Sequence, residues 1–336
     1  MVNTVIIGVG DIAKKRHIPA IQQAASGILY GFCNRTWETT QALAEKYGVR
    51  AYRSAREVFS DPNVQAVLIS TPPAAHAELA VQALQANKYV LLEKPMTLTL
   101  PEAERIVDAQ AQSEARVTML HVQRYYAPHA KAKELLDRGE IGRLLTIRTY
   151  LGNADLGLLA GVPHPGWEDA LFNVGIHRID LLRWLVGAEV QQVMCHRSQL
   201  LVKPVDPEDP KTVDDHAVGI FEFENGVVGT MIASRTSFHG EDRSTVLIGT
   251  EGTITTYARE HELIVEKRNG ERIAYDFPGA HVQGVWELTD LHEQFFRSIL
   301  EERSPEVTAW DGLQSVRIAA ALERSHKEHR WVSLAD

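Results

Sequence analysis

In the amino-terminal third of the chain, apolar positions gather into short unbroken runs separated by longer stretches with helical spacing. Thr4-Val5-Ile6-Ile7, Ile28 to Cys33, Val64 to Ser70, Tyr89-Val90-Leu91-Leu92 and Val117 to His121 are too short and too continuous for amphipathic helices. A run that is apolar on both faces suits a strand of a parallel sheet with helices on either side. Between these runs, Thr39 to Tyr47, Ala55 to Phe59, Ala77 to Asn87 and Pro101 to Ser113 read as helices, and Ala51-Tyr52 as a further short strand. Ser54 is placed to cap one helix and Gly48 to stop another, and Glu102 and Glu104 fall in a first turn where the helix dipole favours them. Strands and helices alternate with short connections, the pattern of stacked βαβ units. This predicts an α/β domain over residues 1–122.

Past a linker at Gln123-Arg124-Tyr125-Tyr126 the pattern changes. A helix from Pro128 to Arg138 stops at Gly139, and a strand runs from Leu144 to Tyr150. In Leu171 to Leu185, residues Phe172, Ile176, Ile179, Leu182 and Leu185 recur at three- and four-residue steps, which marks the buried face of a helix. From Val190 onward, short and partly alternating strands are divided by turns such as Glu224-Asn225-Gly226 and Asn269-Gly270. Helices at Leu288 to Leu300 and Asp311 to Lys327 close the chain. Residues 123–336 are therefore expected to form an α+β domain with a large open, mainly antiparallel sheet. One face of such a sheet packs on helices and the other needs cover, so subunit contact is expected there.

Composition removes several function classes. The 44% hydrophobic and 24% charged residues are those of an ordinary globular protein, and the net charge of −9 carries no basic block that would bind nucleic acid. No run approaches the ~20 apolar residues that cross a bilayer, and the chain enters its first strand without a signal-like segment. Two distant cysteines, Cys33 and Cys195, rule out a disulfide scaffold and lack metal-ligand spacing. A cytoplasmic protein with neither membrane nor metal involvement is expected.

The candidate chemistry lies where strands end. Gly8-Val9-Gly10-Asp11-Ile12-Ala13 follows the first strand and opens a helix, interrupted or restarted near Pro19. Gly8 permits a tight turn, Gly10 presents no side chain to a pyrophosphate, and the helix start offers backbone N–H groups. The second strand ends in Asn34-Arg35, where a carboxylate would hold the ribose hydroxyls of NAD. A neutral Asn34 removes repulsion of a 2′-phosphate and Arg35 can pair with it, which points to NADP over NAD. The Tyr89–Leu92 run stops abruptly at Glu93-Lys94-Pro95, at the end of a sheet strand where ligands bind, and a tight turn there would accommodate a cis Lys-Pro bond. Downstream, Asn173, His177 and Asp180 share one face of the 171–185 helix, just after an irregular stretch, Gly152 to Gly166, long enough to line a substrate.

Gly8-Val9-Gly10 with His17 and Pro19, Thr71-Pro72-Pro73 with His76, Glu93-Lys94-Pro95 and Gly175-Ile176-His177-Arg178-Ile179-Asp180 together resemble the Gfo/Idh/MocA oxidoreductases. Gly139-Glu140-Ile141-Gly142 and Gly249-Thr250-Glu251-Gly252 extend the resemblance over nearly the whole chain. It implies a Rossmann domain that binds a nicotinamide dinucleotide and a second domain whose open sheet makes homodimers or homotetramers. It also implies hydride transfer at a hydroxyl or carbonyl carbon of a sugar, inositol or related polyol. Lys94 and His177 take the catalytic places, with Asn173 where an Asp is usual. Gly8, Gly10, Asp11, Ile12, Asn34, Arg35, Thr71, Pro72, His76, Glu93 and Lys94 are the cofactor-side candidates. Gln123, Arg124, Trp167, Asn173 and His177 are the substrate-side candidates. The physical logic agrees: a base must take the hydroxyl proton as hydride leaves, and an imidazole with an ordinary pKa of about 6.5 suits that task. Two rivals are a dinucleotide-binding regulator that has lost turnover and a lyase or glycosidase that recycles bound NAD.

Overall fold

The structure, a computed structural model, describes residues 1–153, 169–201, 214–237, 242–257, 262–278 and 285–335. The chain forms two compact units, Met1–Tyr125 with Val282–Val316, and Tyr126–His281 with Arg317–Asp336.

In the first unit six parallel strands, β1 (Val2–Ile7), β2 (Gly27–Cys33), β3 (Arg50–Tyr52), β4 (Ala66–Ile69), β5 (Tyr89–Leu92) and β6 (Val117–Met119), form a sheet in the order β3-β2-β1-β4-β5-β6. The strand order reverses between β1 and β4, and open α/β sheets bind ligands beyond the carboxyl ends at such a reversal. Register aligns those ends: Ile7 pairs with both Cys33 and Ile69, and Ile69 with Leu92. The connecting helices are α1 (Ile18–Gln23), α2 (Trp37–Tyr47), α3 (Ala55–Ser60), α4 (His76–Gln85) and α5 (Leu100–Ala111). Val5, Ile7, Val67, Ile69, Val90 and Leu92 pack against Ala80, Ala83 and Leu84 of α4 and Ala103 and Ile106 of α5. The continuous apolar runs are thus buried strands, as their pattern predicts.

The linear reading assigned everything beyond residue 122 to the second domain, whereas Val282–Val316 belongs to the first unit. Helix α8 (Val285–Leu300) packs on α1, and Phe296 lies where a Cβ on Gly27 would fall. After it, Val307 accepts a backbone hydrogen bond from Met119 at 3.1 Å, adding a rung beside β6. Arg124 ties this return down, its Nη2 donating to Asp311 Oδ1 at 2.8 Å. The other Asp311 oxygen accepts the Thr308 N–H at 2.8 Å and its hydroxyl at 2.9 Å. An amphipathic helix displays an apolar stripe but no address for the core it will join, which is why sequence pattern placed α8 wrongly.

Burial alone would raise the Asp311 carboxyl, but the Arg124 charge and hydrogen bond and the Thr308 donors outweigh it and hold it well below the ordinary 3.8. A depressed carboxylate stabilises the fold above its unfolded pKa, and the contribution fades as pH falls from there towards the folded value. Asp311→Asn is expected to cost roughly 3–5 kcal/mol near neutrality, because it strands a mostly buried guanidinium. Denaturant midpoints of the two proteins should converge as pH drops below about 4.

The second unit contains α6 (Ala127–Asp137), α7 (Ile176–Val186) and the carboxyl-terminal part of α9 (Ala309–Glu328), which starts in the first unit. Its strands are β7 (Leu144–Gly152), β8 (Val190–Ser198), β9 (His216–Phe223), β10 (Val228–Ser234), β11 (Thr245–Gly249), β12 (Gly252–Thr256), β13 (Glu262–Lys267), β14 (Arg272–Asp276) and β15 (Val332–Ser333). They lie in the order β14-β13-β12-β11-β7-β10-β9-β8-β15, antiparallel except for the parallel pair β7 and β10. One face is buried: Ile147, Val193, Phe221, Met231 and Leu247 pack with Ile179 and Leu182 of α7 and Leu322 of α9. On the other face Met194, Val218, Ile220, Val228, Ile232 and Ile248 stay 37–42% exposed. Met194 is paired with Ile220, and Val218 with Ile232, so these side chains form a contiguous apolar strip. Among the described residues, no helix is long and apolar enough to cross a membrane, and no cluster of His, Cys, Asp and Glu could hold a metal ion.

Candidate active site

The turn after β1 is built for close approach. Gly8 has φ +90°, and a Cβ there would fall 2.7 Å from the Ser70 carbonyl at the end of β4. Only glycine fits both the conformation and the space. At Gly10 an added Cβ would meet nothing within 4 Å, while Ile12 stays 47% exposed. Helical backbone runs on from residue 11 to residue 23. The interruption expected near Pro19 is instead a widened turn at Ala13–His17, with Pro19 in the first turn of α1, where its missing N–H costs nothing. Open space over Gly10, helical amides beyond it and the reversal of strand order fit the pyrophosphate of a dinucleotide. Asp11 is exposed and pairs with Lys15 at 2.9 Å.

Asn34 Oδ1 accepts the Val9 N–H at 3.4 Å, joining the end of β2 to this turn, and Arg35 is exposed beside it. Arg53 follows Tyr52, the register partner of Cys33, and its guanidinium lies 4.0 Å over the Trp37 ring. Sequence reasoning missed Arg53, although a cation just past a third strand end is a readable signal.

His76 is buried, with Nε2 2.8 Å from the Thr71 carbonyl and Nδ1 2.9 Å from that of Pro95. It clamps the Thr71-Pro72 turn, where Pro72 is exposed, to the end of β5, and so acts through the loops it joins. Burial lowers its pKa, against the pull of those carbonyls. Glu93 and Lys94 lie at the carboxyl end of β5, both partly buried, and the Lys94–Pro95 peptide is cis. Glu93 accepts the Lys94 N–H at 2.9 Å and faces His17 Nε2 at 2.9 Å. Gly8, Thr71, Glu93 and Lys94 therefore share one end of one sheet.

In the second unit, Asp169 caps a wide turn, Ala170–Gly175, by accepting the Phe172 N–H at 2.6 Å. Burial raises the Asp169 carboxyl, while Arg197, which pairs with Asp169 and Asp214, pulls it down. Asn173 in this turn and His177 in the first turn of α7 are half-buried and lie on neighbouring steps. Asp180, expected on the same face, is 1% exposed. Arg178 is fully buried with Nη1 3.5 Å from His129 Nε2. Trp167 lies outside the described residues, as does most of the 152–166 stretch.

Residues 2–121 match the family described as "Oxidoreductase family, NAD-binding Rossmann fold", and residues 129–255 match the "GFO/IDH/MocA C-terminal domain". The chain belongs to the Gfo/Idh/MocA oxidoreductase family. Its relatives include the myo-inositol 2-dehydrogenase of Thermotoga maritima, 27% identical with 98% of each chain covered. The levoglucosan dehydrogenase of Pseudarthrobacter phenanthrenivorans is 29% identical, with 88% of this chain and 87% of that one covered. A solved levoglucosan dehydrogenase in complex with NADH and L-sorbose superposes with a TM-score of 0.89 at 25% identity, covering 99% of both chains.

For a Gfo/Idh/MocA oxidoreductase, the first sheet brings together the glycine turn, Asn34, the Thr71-Pro72 turn and Glu93-Lys94 at one end. The linker candidates are less available. Gln123 is 4% exposed, and the Arg124 guanidinium is engaged with Asp311. His292, which faces His17, was also missed; a lone histidine among Leu288, Leu291, Phe295 and Phe296 was its only sign in the sequence.

Proposed function

We propose that this chain is an NADP-preferring dehydrogenase of a sugar, inositol or related polyol, with Lys94 and His177 as its catalytic pair. The observation that carries the reading is the half-buried Lys94 at the same sheet end as the glycine turn. The similarity to inositol and levoglucosan dehydrogenases supports a polyhydroxylated ring as substrate. The bound nicotinamide supplies the hydride acceptor or donor. His177 takes the hydroxyl proton as the carbon is oxidised, and returns it when a carbonyl is reduced. The Lys94 ammonium donates to the reacting oxygen and stabilises its developing negative charge. Asn173, uncharged, orients a substrate hydroxyl or His177 but removes no proton.

A panel of inositols, anhydrosugars and aldoses, followed by nicotinamide absorbance with NADP and with NAD, tests this reading. NADP-dependent turnover of a polyol is expected. Nucleotide that copurifies without net turnover would instead favour a lyase or glycosidase that recycles it. Arg35→Ala should lower kcat/KM for NADP by about 10–100-fold, the worth of one charge-assisted hydrogen bond, with little effect on NAD. A wild-type preference for NAD would overturn the role of Arg35. The exposed apolar strip on the second sheet supports a homodimer or homotetramer, and the buried free Cys33 and Cys195 suit the reducing cytoplasm.

A further inference from the structure

His292 lies in α8 with Nδ1 2.5 Å from the Leu288 carbonyl. A carbonyl only accepts, so Nδ1 carries the hydrogen. Complete burial is the main cause that pushes His292 down to about 3, so near neutral pH the ring is uncharged and its Nε2 is a bare acceptor. His17 Nδ1, 3.3 Å from that Nε2, must therefore donate to it. His17 Nε2 then faces Glu93 Oε1 at 2.9 Å across a gap that holds one proton. That proton belongs to His17 if Glu93 is a carboxylate. The Lys94 charge and the hydrogen bond from the Lys94 amide both favour the carboxylate, whatever the charge on His17. The charged and titratable groups around this relay are His17 from the wide turn, His292 from α8, Lys94 beyond β5 and His76 from α4, whose ring nitrogens face the Thr71 and Pro95 carbonyls.

We infer that His17 is a positioning residue, an imidazolium whose two N–H groups bridge neutral His292 to the Glu93 carboxylate, which in turn holds the Lys94 peptide. The Glu93 N–H makes the last rung of the ladder, to Ile69 O at 3.0 Å. Lys94 lies beyond that rung, and its amide is anchored by the Glu93 side chain. The relay thus fixes the backbone from which the Lys94 side chain projects, and keeps an anion beside its ammonium. The inference rests on reading Lys94 as catalytic, and extends that reading to residues that touch no substrate.

The test is two-bond ¹H–¹⁵N correlation on the full-length, histidine-labelled protein, together with the pH profile of kcat/KM. The spectra should show an imidazolium pattern for His17 at neutral pH, assigned by its loss in His17→Gln, and an Nδ1–H neutral tautomer for His292. His17→Gln keeps a donor towards Glu93 without its charge, so protonation of Glu93 should add a second step to the acid limb that His177 sets and make kcat/KM fall more steeply below about pH 6, with kcat falling more than KM rises. A neutral His17 ring at pH 7, or a His17→Gln profile that overlies the wild type, overturns the inference. Should His17→Gln fail to fold, Glu93→Gln replaces it, and the His17 signals must then turn neutral near pH 7; their persistence as imidazolium is equally fatal. The spectra do not depend on turnover. A fully active Lys94→Ala enzyme would refute the catalytic reading while leaving the protonation pattern intact.

Discussion

Lys94→Ala is expected to lower kcat/KM by about 10²–10³-fold, the usual cost of removing one donor aimed at a developing oxyanion. In alcohol oxidation negative charge develops on oxygen as the proton leaves ahead of the hydride, and in carbonyl reduction the same charge develops as the hydride arrives ahead of the proton. An ammonium beside that oxygen stabilises the charge more in the transition state than in either ground state, so the loss should appear in kcat. Lys94 is half-buried, and its amide is held by the Glu93 carboxylate, which limits its freedom to be elsewhere. The glycine turn does not depend on this side chain, so dinucleotide affinity, read by titrating reduced cofactor fluorescence, should change only a few fold. Wild-type turnover in the variant would remove Lys94 from the mechanism.

His177→Ala should cost about 10²–10⁴-fold in kcat/KM, the range for a positioned general base. The companion signature lies in pH. A histidine base works only when neutral, so the wild-type rate of alcohol oxidation should fall as pH drops through the His177 pKa, and that dependence should be missing in the variant. Asn173 cannot substitute, having no titrating proton. Retention of both the rate and its acid limb would place the base elsewhere.

Much of this arrangement was legible because a parallel sheet writes itself as short apolar runs. Tyr89–Leu92 and Glu262–Lys267 have the bounds that pattern alone assigns, and most other elements differ by a residue or two, as fraying ends do, although α8 starts three residues before Leu288 and β8 runs three residues past Cys195. The glycine turn and Glu93-Lys94-Pro95 were legible for a related reason: chemistry at a strand end appears as an abrupt change of residue type. What escaped was long-range or too small to carry a period. His17 and His292 are 275 positions apart, and only the packing of α8 joins them. β15, two residues long, has no period to read. Arg53 required the pairing of Tyr52 with Cys33 before its place beside Asn34 had any meaning.

The first unit takes its last segment, Val282–Val316, from far along the chain, after most of the second unit has been made. The dinucleotide-binding half is therefore not a cassette. A fragment ending at Tyr125 would lack the Val307 rung beside β6, the Asp311 partner of Arg124 and the whole of α8. During synthesis this half cannot complete its core until residue 316 has left the ribosome, so its maturation waits on translation of most of the second unit. The same arrangement resists the exchange of halves between relatives by simple end-to-end fusion, because any single cut in the sequence leaves one of the two units missing a piece.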